Sequence, residues 1–229
     1  MFTITVLNQK GGCGKTTLSQ CMAAAAYAAG HRVAVLDLDE QGASHGIFRD
    51  EVEPGRFKKE DFFVASFNGR DADLKSYRDL CQIFSDQGYD FLILDLPPKL
   101  VSQEHIVSTI TDITLVPMFI SNQDLKSTLK TVDVLNAAGV TSLVIPSRVP
   151  TSKSDKKYPK YQDVLKSLTA HDGAAVSSVE ITDRAEYVDV GDGLFPSLDA
   201  PKTAAGKETV KLFALIHEML KRLNQLKAA

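Results

Sequence analysis

Residues 7–17 read LNQKGGCGKTT, a glycine-rich turn between an apolar, β-branched run and an alanine-rich stretch of helical composition. Glycines let backbone amides turn inward around anionic oxygens, and the helix that follows adds positive potential at its first turn. In such a loop Lys15 can neutralise charge on the β- and γ-phosphates of a nucleotide, and Thr16 can ligate magnesium. Glycine-rich turns also join strands to helices with no ligand at all. Gly-Lys-Thr directly after a strand and directly before a helix is nevertheless the context a phosphate cradle requires. Gly11, Gly12, Cys13, Gly14, Lys15, Thr16 and Thr17 are therefore the candidate nucleotide contacts.

The rest of the chain repeats the strand-then-helix rhythm. Short β-branched runs lie at 2–7, 32–38, 62–67, 91–96, 113–117, 142–146 and, more weakly, 176–181. Helical composition marks 15–29, 72–87, 103–111, 124–138, 158–170 and 203–227. Runs that are apolar throughout imply strands covered on both faces. Their alternation with helices predicts a doubly wound, mostly parallel α/β sheet with helices on both faces. Ligands in such sheets bind at the carboxyl ends of the strands, which is where the glycine-rich loop falls. Residues 49–61 read as a surface excursion, and 150–160 as a polar loop carrying four lysines. Neither resembles an interdomain linker, and no internal repeat is visible.

Composition narrows the partners. With 229 residues, 44% of them hydrophobic, the chain can bury a sizeable core, and one domain spanning 1–229 is expected. A net charge of −3 gives no global attraction to nucleic acid or to an anionic membrane, so either partner would need a local basic patch. Cys13, Cys21 and Cys81 lack metal-ligand spacing, the N-terminus lacks a signal-peptide pattern, and a cytoplasmic location is expected. No apolar stretch approaches the roughly 20 residues that span a bilayer, so no stable membrane insertion is expected.

The loop's first lysine makes the resemblance specific. Lys10-Gly11-Gly12-Cys13-Gly14-Lys15-Thr16-Thr17 is similar to the deviant Walker A motif of the ParA/MinD superfamily of ATPases, whose early lysine an ordinary phosphate loop lacks. The resemblance implies that Lys10 reaches across a dimer interface to the partner's nucleotide, so that two subunits close around ATP and Mg2+. VLDLDEQG at 35–42 resembles the family's switch I segment, which implies that Asp39 positions the attacking water. Lys10, Lys15 and Asp39 are thus the expected catalytic residues. Asp37 is a candidate for the magnesium shell or for capping the strand end. Relatives usually carry proline where this chain has Glu40. YDFLILDLPP at 89–98 resembles the Walker B strand with its switch II prolines, and implies that Asp95 holds magnesium through water. VPMFISNQDL at 116–125 resembles the segment entering an interface helix. There Asp124 either orients partner or nucleotide groups or acts as a helix N-cap. Arg148, in IPSRVP at 145–150, lies where relatives contact adenine and can stack on the base.

The same resemblance frames the load. From residue 201 onward six basic residues, Lys202, Lys207, Lys211, Lys221, Arg222 and Lys227, face only Glu208 and Glu218. Arg184 lies in a segment similar to one that carries DNA-binding arginines in some relatives. Arg184, Lys202, Lys207 and Lys211 are the candidate DNA contacts, although a lysine-bearing helix face is often simply solvated. The chain is similar to short ParA proteins without an N-terminal DNA-reading domain. That similarity implies DNA segregation by an ATP-bound homodimer on nonspecific double-stranded DNA, with a ParB-like partner protein that stimulates hydrolysis. A ParA-like positioner of another cargo, a protein compartment or a transferred-DNA complex, is the first alternative. A MinD-like membrane-associated ATPase is the second, because the last helix carries an apolar face. A helix packed on the sheet accounts for the same face. An iron protein of the nitrogenase type would need paired cysteines after Walker B, and the last cysteine here is Cys81.

Overall fold

The computed structural model describes residues 1–39, 43–51, 55–66, 74–98, 107 and 109–228. Its elements are β1 (Phe2–Val6), α1 (Lys15–Ala28), β2 (Val33–Asp37) and a short α2 (Ala43–Gly46) that runs into a π-helical turn (Ile47–Glu51). Next come β3 (Phe62–Ser66), α3 (Leu74–Asp86), β4 (Phe91–Asp95), β5 (Ile113–Phe119) and α4 (Asn122–Ala137). The chain continues through β6 (Ser142–Val149), α5 (Tyr158–Thr169) and β7 (Ile181–Thr182). After two 3-10 turns, Ala185–Tyr187 and Asp189–Asp192, it ends in α6 (Pro196–Asp199) and α7 (Ala204–Ala228).

The strands form one seven-stranded sheet in the order β3-β2-β4-β1-β5-β6-β7, and every pairing is parallel. Alternate side chains on each strand enter different cores, as the two-residue period of a strand demands. Ile4, Val6, Phe91 and Ile93 pack with α1 and with Leu212, Phe213, Ile216 and Leu220 of α7. Leu92, Leu94, Val116 and Val144 pack with Tyr77 of α3, Val132 and Leu135 of α4, and Val164 and Leu168 of α5. This is why β4 is apolar at four successive positions before its terminal aspartate, and why it is buried throughout.

Most expected elements lie where the sequence places them, with shifts at their ends. β5 and β6 run on to Phe119 and Val149, because pairing continues to Phe119↔Ser147 and, with β7, to Val149↔Thr182. The weak run at 176–181 is a strand only at Ile181–Thr182, with an isolated bridge from Val176 to Val144. Part of the 49–61 excursion is the π-helical turn. Of the helix expected at 103–111, residues 107, 109 and 110 are helical, and most of the remainder lies outside the described residues. The long α7 buries Leu212 and Ile216 completely, whereas Leu226 near its end stands 75% exposed. The helix is therefore a packed element along most of its length. All three cysteines are free, and no helix among the described residues is long and apolar enough to cross a membrane.

Candidate nucleotide site

The loop leaves β1 beside β5, where the Leu7 amide donates to the Leu115 carbonyl at 3.0 Å. Gly12 (φ 71°) and Gly14 (φ 88°) take left-handed backbone conformations that other residues adopt only under strain. Gly14 is also the N-cap of α1, its carbonyl accepting the Leu18 amide at 2.9 Å. A Cβ at Gly14 would come within 3.3 Å of the Phe119 ring, while at Gly11 and Gly12 it would meet nothing within 4 Å. One side of the loop is thus closed by packing and the other lies open, as a cradle for an anion needs. Cys13 is buried in the loop, its thiol donating to the Lys10 carbonyl at 3.2 Å, and burial raises its pKa.

The two lysines have different partners. Lys15, only 8% exposed, donates from Nζ to the Lys10 carbonyl at 3.2 Å, a bond internal to the loop. Lys10 instead forms an ion pair with Asp124 on α4. Asp124 is itself hydrogen-bonded by the Ser121 hydroxyl, and its amide donates to Ser121 Oγ at 3.0 Å. The N-cap of α4 is therefore Ser121, so the capping role considered for Asp124 falls to a residue three positions earlier. Asp124 sits in the first turn with its carboxylate turned to the loop.

Asn8 is a residue that sequence reasoning passed over. It is 1% exposed and donates to the Pro117 carbonyl at 2.9 Å and to Thr128 Oγ1 at 3.1 Å, while its Oδ1 accepts the Lys10 amide at 3.1 Å. It ties the loop to β5 and α4. Its only sequence signal is an amide side chain directly after a buried strand.

Two carboxylates close the site. In the parallel register Asp37 of β2 stands opposite Asp95 of β4, and Asp95 stands opposite Val6 of β1, just before the loop. Both are essentially fully buried. Asp37 accepts the amides of Asp39 (3.1 Å) and His45 (2.9 Å), so it holds the chain leaving β2, the strand-end role considered for it. Burial raises its pKa against those amide bonds. Burial, and to a smaller extent the charge of Asp37, push Asp95 up to about 6, against the hydrogen bond from Ser44. The Ser44 hydroxyl donates to Asp95 Oδ2 at 2.6 Å. Asp39 is half-buried beyond the end of β2. Glu40, where relatives usually have proline, lies outside the described residues.

Neither Asp37 nor Asp95 has a cationic partner among the described residues, and Thr16 lies close enough to Asp95 to favour its charged form. Hard oxygen donors around uncompensated negative charge suit magnesium, which binds through one or two carboxylates plus substrate phosphates. No cluster of three His, Cys, Asp or Glu able to hold a metal exists among the described residues, so phosphate oxygens would have to complete such a shell.

Arg148 is exposed and takes a left-handed backbone (φ 53°) where the β6–β7 register shifts, its guanidinium 4.5 Å from the centroid of the Phe119 ring. Since Phe119 also closes on Gly14, the structure brings Arg148 to the flank of the loop. The proposed DNA contacts lie elsewhere. Arg184 is drawn to Glu208 of α7 at 3.4 Å, and Lys202, Lys207 and Lys211 are exposed before and along the first turns of α7. A chain of aromatic rings starts a few residues from Ser44. Phe48 of the π-helical turn stacks on Phe195 at 5.1 Å, just ahead of α6.

A parallel sheet that gathers backbone amides, lysines and buried carboxylates at one end is suited to bind a nucleotide. The chain belongs to the family described as the CobQ/CobB/MinD/ParA nucleotide binding domain, which matches residues 4–191. Proteins of the ParA/MinD type are nucleotide-binding ATPases. The chain is 26% identical over 189 residues to the maintenance of carboxysome distribution protein A of Halothiobacillus neapolitanus, across 81% of this chain and 82% of that protein. Over 115 residues it is 33% identical to the chromosome-partitioning ATPase Soj of Thermus thermophilus, across 42% of this chain and 46% of that protein. Among solved structures, a chain of the MinC:MinD cell division protein complex of Aquifex aeolicus matches with a TM-score of 0.74 at 17% identity, across 95% of this chain and 96% of that one. The named loads of these three differ, although the fold is shared.

Proposed function

We propose that this protein is a ParA-type ATPase that closes as an ATP-bound homodimer, binds double-stranded DNA of any sequence in that state, and releases it on hydrolysis. The observation that carries the reading is the separation of the two loop lysines. Lys15 lies inside the loop, whereas Lys10 is held from outside by Asp124. A lysine serving only its own nucleotide would not need a second anchor on another helix.

When ATP binds, its β- and γ-phosphates take the place of the Lys10 carbonyl at Lys15 Nζ, and the amides of 11–17 donate to phosphate oxygens. Lys10 exchanges Asp124 for the nucleotide of the partner subunit. Asp39, following the held Asp37, accepts a hydrogen bond from the attacking water and orients it. Thr16, Asp95 and Asp37 would hold magnesium, which would supply positive charge to the phosphates. Arg148 stacks on the base. Arg184, Lys202, Lys207 and Lys211 contact DNA phosphates, and a ParB-like partner protein on the cargo stimulates hydrolysis.

The load is a DNA molecule in the leading reading. A protein compartment is the second, favoured by the length of the match to the carboxysome distribution protein, 81% of this chain against 42% for the partitioning ATPase. Purified protein should hydrolyse ATP only with magnesium, double its mass by light scattering with ATP but not ADP, and retard DNA of unrelated sequences only with ATP. Absence of DNA retardation at low salt, in a protein that dimerises and hydrolyses, would remove the DNA-based readings and leave the nucleotide switch.

A further inference from the structure

We propose that the lysine-bearing loop after β6 and the first turn of α5 form part of the DNA-binding face, with Lys153, Lys156, Lys157 and Lys160 contacting backbone phosphates. The inference rests on the reading of the protein as an ATP-switched DNA binder and adds a surface to it.

Arg184 and the loop lie on one edge of the sheet. The loop starts where β6 ends, and there the Val149 carbonyl accepts the Asp183 amide at 2.8 Å, the residue before Arg184. On the other side of β7, the Thr182 amide and hydroxyl donate to Glu208 of α7 at 3.1 and 2.8 Å. β7 thus joins the loop to the first turns of α7, where Lys207 and Lys211 are exposed on either side of Glu208.

Charge along this edge is distributed unevenly. Glu208 accepts from Thr182, from Arg184 and from the Tyr187 hydroxyl (3.0 Å), so the arginine nominated from the sequence already has an anionic partner inside the protein. Lys153, Lys156, Lys157 and Lys160 are all exposed, and none forms an ion pair with a described residue. Among the acids near them, Asp155 and Asp163 form no ion pair with these lysines. Asp155 Oδ1 accepts the Lys157 amide at 2.8 Å, and Glu180 accepts the Tyr161 hydroxyl. Four cations within eight residues, outnumbering Asp155 among them and with no ion pair to hold them, match the spaced negative charges of a phosphate backbone better than Arg184 does. Flexible lysine side chains suit contact with DNA of any sequence, because they are point charges without the fixed fork of arginine.

The test compares ATP-loaded wild type with two variants, K153Q/K156Q/K157Q/K160Q and a control, K58Q/K59Q, that removes two adjacent exposed lysines from the segment before β3. Binding to a double-stranded fragment is titrated between 50 and 200 mM salt, with circular dichroism to confirm that each variant is folded. Each lost phosphate contact makes the slope of log affinity against log salt shallower by about 0.9. The four contacts of one subunit then correspond to about 100-fold less loss of affinity across this range, and the slope change doubles where both subunits of the dimer touch the DNA, while the control keeps the wild-type slope. Should the loop variant bind with the wild-type slope and affinity, the inference is wrong while the DNA-binding reading stands. A wild type that does not bind DNA refutes both. Binding to phosphatidylglycerol vesicles that disappears in the loop variant, with DNA binding intact, would give the surface to a membrane and likewise overturn the proposal.

Discussion

Replacing Asp95 with asparagine should make the metal-free protein more stable at neutral pH while destroying its activity. Asp95 is 1% exposed and lies opposite the equally buried Asp37, and its pKa is pushed from 3.8 to about 6. A carboxyl whose folded pKa lies above its unfolded value carries no penalty below the unfolded pKa. The penalty accumulates as pH rises between the two values, and is complete above the folded one. At roughly 1 kcal/mol or slightly more per pKa unit, the ionised Asp95 costs the fold about 3 kcal/mol at pH 7.5 and well under 1 kcal/mol at pH 4. Asparagine removes that cost but weakens the hydrogen bond donated by Ser44, a loss of about 1 kcal/mol. In chelator, Asp95→Asn should therefore be more stable than wild type by about 2 kcal/mol at pH 7.5, and equal or slightly less stable at pH 4. Urea unfolding at both pH values measures the difference. With ATP and magnesium the order should reverse, because only the wild type gains from the bound cation. A variant less stable than wild type at pH 7.5 in chelator, or a difference independent of pH, would refute the account of these carboxylates as uncompensated charge awaiting a cation.

Three further outcomes are expected. Lys15→Ala should abolish nucleotide binding, whereas Lys10→Ala should keep monomer binding but lose dimerisation and hydrolysis. Equilibrium binding with light scattering separates the two, and normal dimerisation by Lys10→Ala would contradict the roles assigned to both lysines. Asp39→Ala should bind ATP and magnesium and accumulate as a slowly hydrolysing dimer, so wild-type phosphate release would move the water-orienting role elsewhere. Gly206→Ala should destabilise the fold by about 3 kcal/mol or more, because a Cβ there would stand 2.2 Å from the Ala200 carbonyl oxygen and 2.7 Å from Pro201 Cα. Thermal unfolding at the wild-type temperature would show that α6 and α7 can part without cost.

The sequence by itself determined that the sheet is parallel and where its central strands lie. Buried parallel strands are apolar at successive positions, and a glycine-rich turn with lysine and threonine leaves few alternatives, so β1, β2, β4 and the loop were legible. Asp37 and Asp95 were legible for the same reason, as charges that end apolar runs. Only the tertiary structure decided which residues meet. Lys10 and Asp124 are 114 positions apart, and Ser44 and Asp95 are 51 apart. Nothing local in either segment encodes such a partner. Asn8 became visible as an anchor only when Thr128 and Pro117 were brought to it. The basic residues show the limit most clearly. Sequence composition weighs Arg184 and the lysines of 150–160 as equal positive charges, yet folding places Glu208 against the first and leaves the others to solvent. Whether a charge remains available to a partner depends on which opposite charge the fold carries to it, and that is a property of long-range contacts.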